Sequence, residues 1–76
     1  MLDNWKKIWE SPSPERAEIA KSLLEDNGIQ AVILNKKDSS YLFGYCELYV
    51  PQPHESNALH ILTYDGFIIN PDHPNP

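Results

Sequence analysis

Hydrophobic and polar residues alternate near the start of the chain, and this pattern predicts a β-strand with two unlike faces. Strict alternation over residues 5–10 places Trp5, Lys7 and Trp9 on one face of that strand. Pro12 and Pro14 cannot donate to a strand ladder, so the strand is expected to end before them.

A helix is predicted next, because Ser13 is suited to cap its first turn and Pro14 to occupy its first position. Its apolar stripe has helical spacing and comprises Ala17, Ile19, Ala20, Leu23 and Leu24. Asn27 and Gly28 predict the end of the helix, since glycine readily takes a positive φ. Ile29 then lies where a Schellman motif packs it against Leu24.

Two further strands are predicted after this helix. Residues 29–35 are mostly aliphatic, which indicates a strand covered on much of both faces, and the polar residues 36–40 predict a hairpin loop. The longest strand is predicted over residues 41–50, where alternation is clearest. One face receives Leu42, Gly44, Cys46, Leu48 and Val50, and the other receives Tyr41, Phe43, Tyr45, Glu47 and Tyr49.

A second helix is predicted over residues 53–62, and a short edge strand over residues 67–69. The proline-rich residues 71–76 predict a frayed tail. Residues 1–70 are therefore expected to form one domain. The order β-α-β-β-α, with or without the fourth strand, is the split β-α-β pattern of ferredoxin-like α+β folds. Right-handed crossovers make the first and third strands neighbours and place both helices on one face. The uncovered face is then expected to carry Trp5, Trp9, Tyr41, Phe43, Tyr45 and Tyr49.

Several segments in combination resemble one small bacterial family. They are the opening WKKI of residues 5–8, PERAE of 14–18, LLEDNGI of 23–29, NKKDSSY of 35–41 and ELYVP of 47–51. The family is described as signal-transducing proteins with a PII-like, ferredoxin-like fold, and it has no established activity. The resemblance covers about residues 2–63 and implies a fold and a regulatory role, without a catalytic motif. True PII proteins carry a long effector loop, so the short predicted loop disfavours nucleotide sensing here.

Composition narrows the function further. The 76 residues carry a formal charge of -5 and one cysteine, which excludes a disulfide framework and a cysteine-built zinc cluster and argues against broad electrostatic binding to nucleic acid or anionic lipid. The first residues lack the pattern of a secretory signal. The longest aliphatic run, residues 31–34, is far shorter than the roughly 20 residues that span a bilayer. We therefore expect a cytoplasmic protein without a membrane partner.

The six aromatic residues of the predicted uncovered face are the main candidate site, because apolar patches on small domains often mark protein interfaces. Two alternatives stay open: ordinary cross-strand pairing, and stacking of single-stranded nucleic acid or a nucleotide, which the charge of -5 disfavours. Lys36 and Lys37 are a candidate anion site, although such a pair is usually a solvated loop.

No catalytic, metal or cofactor site is predicted. Cys46 shares its face with Leu48 and is expected in the core. His54 and His60 are six residues apart and point in different directions on a helix, and His73 falls in the tail. We therefore expect a non-enzymatic regulatory module that forms a homo-oligomer or docks another protein through its sheet face or an edge strand.

Overall fold

The computed structural model describes residues 3–37 and 44–69, so the predictions for Tyr41, Phe43 and the tail from residue 71 lie outside it. The elements, in order along the chain, are β1 (Trp5–Ser11), α1 (Pro14–Asp26), β2 (Val32–Lys37), β3 (Gly44–Pro51), a 3₁₀ turn (Gln52–His54) and α2 (Glu55–Tyr64). This is the predicted ferredoxin-like α+β arrangement, with three strands in the described residues.

The sheet has the order β1-β3-β2, and both neighbouring pairs are antiparallel. The predicted adjacency of the first and third strands is therefore confirmed. β2 begins and ends later than the sequence pattern predicts, and Lys36 and Lys37 belong to it, pairing with Tyr45 and Gly44. The prediction that these lysines open a hairpin loop is wrong, because strand pairing with β3 continues past the last aliphatic residue.

Both ends of α1 follow the predicted local chemistry. The Ser13 hydroxyl accepts a hydrogen bond from the Arg16 backbone N–H at 3.2 Å. At the other end Gly28 takes a φ of 79°, and the Ile29 N–H donates to the Leu24 carbonyl at 2.9 Å. This is the Schellman geometry, and it places Ile29 in the same buried cluster as Leu24.

Both helices pack on one face of the sheet. Their buried residues form one cluster with residues of β1, of β3 and of the segment just before β2. The members are Ala20, Leu24, Ala58 and Leu62 of the helices and Ile8, Ile29, Ala31, Leu48 and Val50. Ile19, predicted to widen the apolar stripe of α1, is instead 59% exposed. The buried stripe of α1 is therefore narrower than predicted and consists of Ala17, Ala20 and Leu24.

α2 begins after a 3₁₀ turn and has no side-chain cap. Its end repeats the device used by α1: Gly66 takes a φ of 85°, and the Phe67 N–H donates to the Leu62 carbonyl at 2.8 Å. The predicted strand over residues 67–69 is wrong, because this turn folds Phe67 and Ile68 back against the buried cluster. Neither helix within the described ranges is long and apolar enough to cross a membrane.

Candidate functional site: the open face of the sheet

The face of the sheet turned away from the helices is built on the alternation of β3. Cys46, Leu48 and Val50 are buried toward the helices, so Tyr45 and Tyr49 point to the opposite side. Residues paired across antiparallel strands share a face. The register therefore defines the open face as Trp5, Lys7, Glu10, Val32, Leu34, Lys36, Tyr45, Glu47, Tyr49 and Pro51.

Trp9 does not belong to the open face, and the prediction that it shares a face with Trp5 and Lys7 is wrong. The register of β1 against β3 shifts between Lys7 and Trp9, which leaves Ile8 as an extra residue. Such a bulge places two successive residues on the same side of a strand. Ile8 and Trp9 accordingly both face the helices, and Trp9 packs against the buried cluster.

The contacts of Trp9 show what holds it on the helix side. Its indole Nε1–H donates to the Phe67 carbonyl at 3.1 Å, and the two rings meet edge to face with centroids 5.7 Å apart. The Arg16 guanidinium lies over the same Phe67 ring, 5.0 Å from its centroid. The sequence pattern missed this cluster, because residues 67–69 read as a strand rather than as a segment folded back over β1.

A polar network occupies the β1 side of the open face. Lys7 Nζ lies 2.9 Å from Glu10 Oε1 and 3.5 Å from Glu47 Oε2, and the Tyr49 hydroxyl donates to Glu47 Oε1 at 3.0 Å. The hydrogen bond to Glu10 raises the pKa of Lys7, and the hydrogen bond to Glu47 raises the pKa of Tyr49. Both shifts favour the protonated forms, which are a charged Lys7 ammonium and a neutral Tyr49 hydroxyl.

The β2 side of the open face is apolar from Val32 to Leu34, and Lys36 adds a charge beyond them. Val32 and Leu34 are half-buried there, beside the half-buried Tyr49 and the 46% exposed Tyr45. Trp5, also half-buried, pairs with Pro51 at one end of the face. Val32 and Leu34 were not among the predicted site residues. Their spacing of two indicates that they share one face of the strand, but only the register shows that this is the open face.

The predicted anion and cysteine sites occupy different places. Lys36 lies exposed at the end of β2 and shares the open face with Tyr45, while Lys37 follows it in the strand. Cys46 is 4% exposed, and its thiol donates to Asn35 Oδ1 at 3.0 Å on the helix side. Its predicted placement in the core is therefore confirmed.

The histidines of the described segments do not converge. His54 lies in the 3₁₀ turn and His60 in α2, and both are exposed. Across residues 3–37 and 44–69, the His, Cys, Asp and Glu side chains form no group of three that could hold a metal ion. His73, the third histidine, lies outside these ranges.

Comparisons with known proteins identify a family, described without a chemistry. No curated protein and no solved structure matches the chain. Because a family model described as "putative prokaryotic signal transducing protein" matches residues 5–64, which is most of the 76-residue chain, the protein belongs to that family.

Proposed function

We propose that this protein is a non-enzymatic interaction module in prokaryotic signalling that associates with a second copy of itself through the open face. The observation that carries the proposal is the apolar half of that face, where Val32, Leu34, Tyr45 and Tyr49 lie together. Within the described segments both helices pack on the other side of the sheet. These side chains are therefore placed to meet a partner surface.

The size of the core supports self-association. Among the described residues, the largest fully buried side chains are only Leu24, Leu48, Leu62 and Val50. A domain this small buries a modest share of its surface alone, and oligomerisation is a common way to add buried apolar area. A second copy is the simplest partner, because a two-fold contact brings one apolar patch against the same patch.

The charges of the open face also favour a protein surface over a nucleic acid. Lys7 and Lys36 share the face with the carboxylates of Glu10 and Glu47, and Lys7 is already paired with both of them. A phosphate backbone would meet these carboxylates in a chain of net charge -5. A second copy offers groups of both signs to the same positions.

Tyr45→Asp tests the proposal, because Tyr45 lies near the start of β3, the middle strand of the three described, with an outward ring. At 46% exposure, roughly 90 Å² of a ring residue that buries about 200 Å² is still available, worth about 2 kcal/mol in each copy. Since a two-fold contact contains both copies, the dissociation constant should rise at least about a hundredfold. Sedimentation velocity and light scattering across a range of protein concentrations measure it.

Tyr64→Asp is the matched control. Tyr64 is the same residue type, 85% exposed, and ends α2 on the helix side of the sheet. It should leave the association unchanged. A wild-type chain that stays monomeric at high concentration would refute the proposal, and so would equal effects of the two substitutions.

A further inference from the structure

We infer that the outer edge of β2 pairs antiparallel with β2 of a second copy, extending the sheet across a two-fold axis. This inference rests on the proposed self-association and adds a second contact to it. In the described part of the chain, β2 pairs on one side only, with β3. Its other side therefore presents a row of backbone N–H and C=O groups to a further strand.

The two outer strands of the sheet differ in the features that block edge pairing. β1 contains the bulge at Ile8 and carries exposed charges at Lys6, Lys7 and Glu10. Bulges and charged side chains, lysine above all, are the usual protection of a sheet edge. β1 is thus the protected edge.

β2 has none of this protection over its first half. Its register against β3 runs without a shift from Val32 to Lys37. Val32, Ile33 and Leu34 are aliphatic and half-buried, and charge appears only at its far end, in Lys36 and Lys37. An unbulged, apolar strand of this kind is a good template for another strand.

The hydrophobic pattern selects the register of the pair. Paired residues must share a face, and centring the two-fold axis on Ile33 sets Val32 of each copy opposite Leu34 of the other. Aliphatic residues then meet on both faces. The two Lys36 residues lie about 20 Å apart along the strands, whereas a parallel pair would set them side by side. Three residue pairs of β2 overlap in this register, which gives about two to four backbone hydrogen bonds.

The edge contact and the open-face contact are compatible. Edge pairing joins the three described strands of each copy into one sheet with both open faces on the same side. It also joins the apolar half of one face to that of the other. A pair formed this way can still bury its open face against a second pair. The wild-type chain should then reach four copies, and Tyr45→Asp should stop at two.

Disulfide cross-linking tests the edge. Ile33→Cys, in a Cys46→Ser and Tyr45→Asp background, places one thiol on the helix side of the strand, where an open-face contact cannot reach. With the two-fold axis at this residue, the paired Cα atoms are about 4.5–5.5 Å apart, within the range that a disulfide bridges. Oxidation with diamide should give covalent dimers at least tenfold faster than for Lys6→Cys on the β1 edge.

A second pair of variants covers the case in which Ile33→Cys does not fold. Chains with Val32→Cys mixed with chains with Leu34→Cys should cross-link faster together than either does alone, because identical residues are about 8 Å apart in this register. If Leu34→Cys chains alone form covalent dimers faster than the mixture with Val32→Cys does, the proposed register is wrong. Rates no higher than Lys6→Cys in every variant overturn the edge contact, and a Tyr45→Asp effect on mass would still stand for the open face.

Discussion

Phe67→Ala should strongly destabilise the domain, although Phe67 lies in a segment without regular secondary structure that follows α2. Phe67 is half-buried against the core, meets Trp9 edge to face at 5.7 Å and lies beneath the Arg16 guanidinium at 5.0 Å. The edge-to-face pair contributes about 1 kcal/mol, the cation–π contact about 0.5 kcal/mol, and the lost apolar burial about 1.5 kcal/mol. The expected loss in the free energy of unfolding is about 3 kcal/mol.

Thermal unfolding followed by Trp fluorescence measures this loss. For a domain of this size, about 3 kcal/mol corresponds to a fall in Tm of roughly 12–24 °C. Ile69→Ala is the control, since Ile69 belongs to the same segment but is 84% exposed, and its Tm should change by less than about 3 °C. If Phe67→Ala changes Tm no more than Ile69→Ala does, then Phe67 does not hold Trp9 on the helix side of the sheet.

Two further predictions concern the backbone and the polar network. Gly28→Ala should lower the free energy of unfolding, measured in urea titrations, by about 1 kcal/mol. A Cβ at this position meets nothing within 4 Å, but the φ of 79° strains any L residue with a side chain. A neutral effect would contradict the Schellman geometry. Glu47→Gln should lower the pKa of Tyr49 in ultraviolet titrations, with Tyr49→Phe identifying the signal. The pKa of Tyr49 is raised in the folded state, so the hydrogen bond of Tyr49 to Glu47 stabilises the fold below the unfolded pKa of about 10. This stabilisation is lost as pH rises through the folded pKa. If Glu47→Gln leaves the titration of Tyr49 unchanged, the hydrogen bond to Glu47 does not persist.

The sequence predicts the elements whose signals are local. Ser13 and Gly28 mark the two ends of α1, and each makes a hydrogen bond with a residue three positions away. A short window of sequence therefore contains both residues of each hydrogen bond. The burial of Cys46, Leu48 and Val50 follows equally from the period of two in one strand. These features depend on single elements, and they could be predicted before any pairing was known.

The features that could not be predicted are properties of pairs of elements. The bulge at Ile8 exists only relative to β3, because an extra residue is defined by its partner strand. The apolar run at residues 67–69 fits an edge strand by composition, but Gly66 turns it back onto the core. Lys36 continues β2 because β3 offers a partner at Tyr45, which the polar composition of that stretch conceals.

One extra residue in β1 thereby decides which surfaces of the sheet remain for a partner. By turning Trp9 toward the helices, the Ile8 bulge removes a ring from the β1 side of the open face and leaves that side to the charges of Lys7 and Glu10. The same bulge protects the β1 edge from pairing. Apolar contact is thus shifted to the border formed by Val32 and Leu34, where the apolar half of the open face and the unprotected β2 edge adjoin. A second copy that pairs along this edge extends the very surface that a face contact would bury, so each contact should strengthen the other.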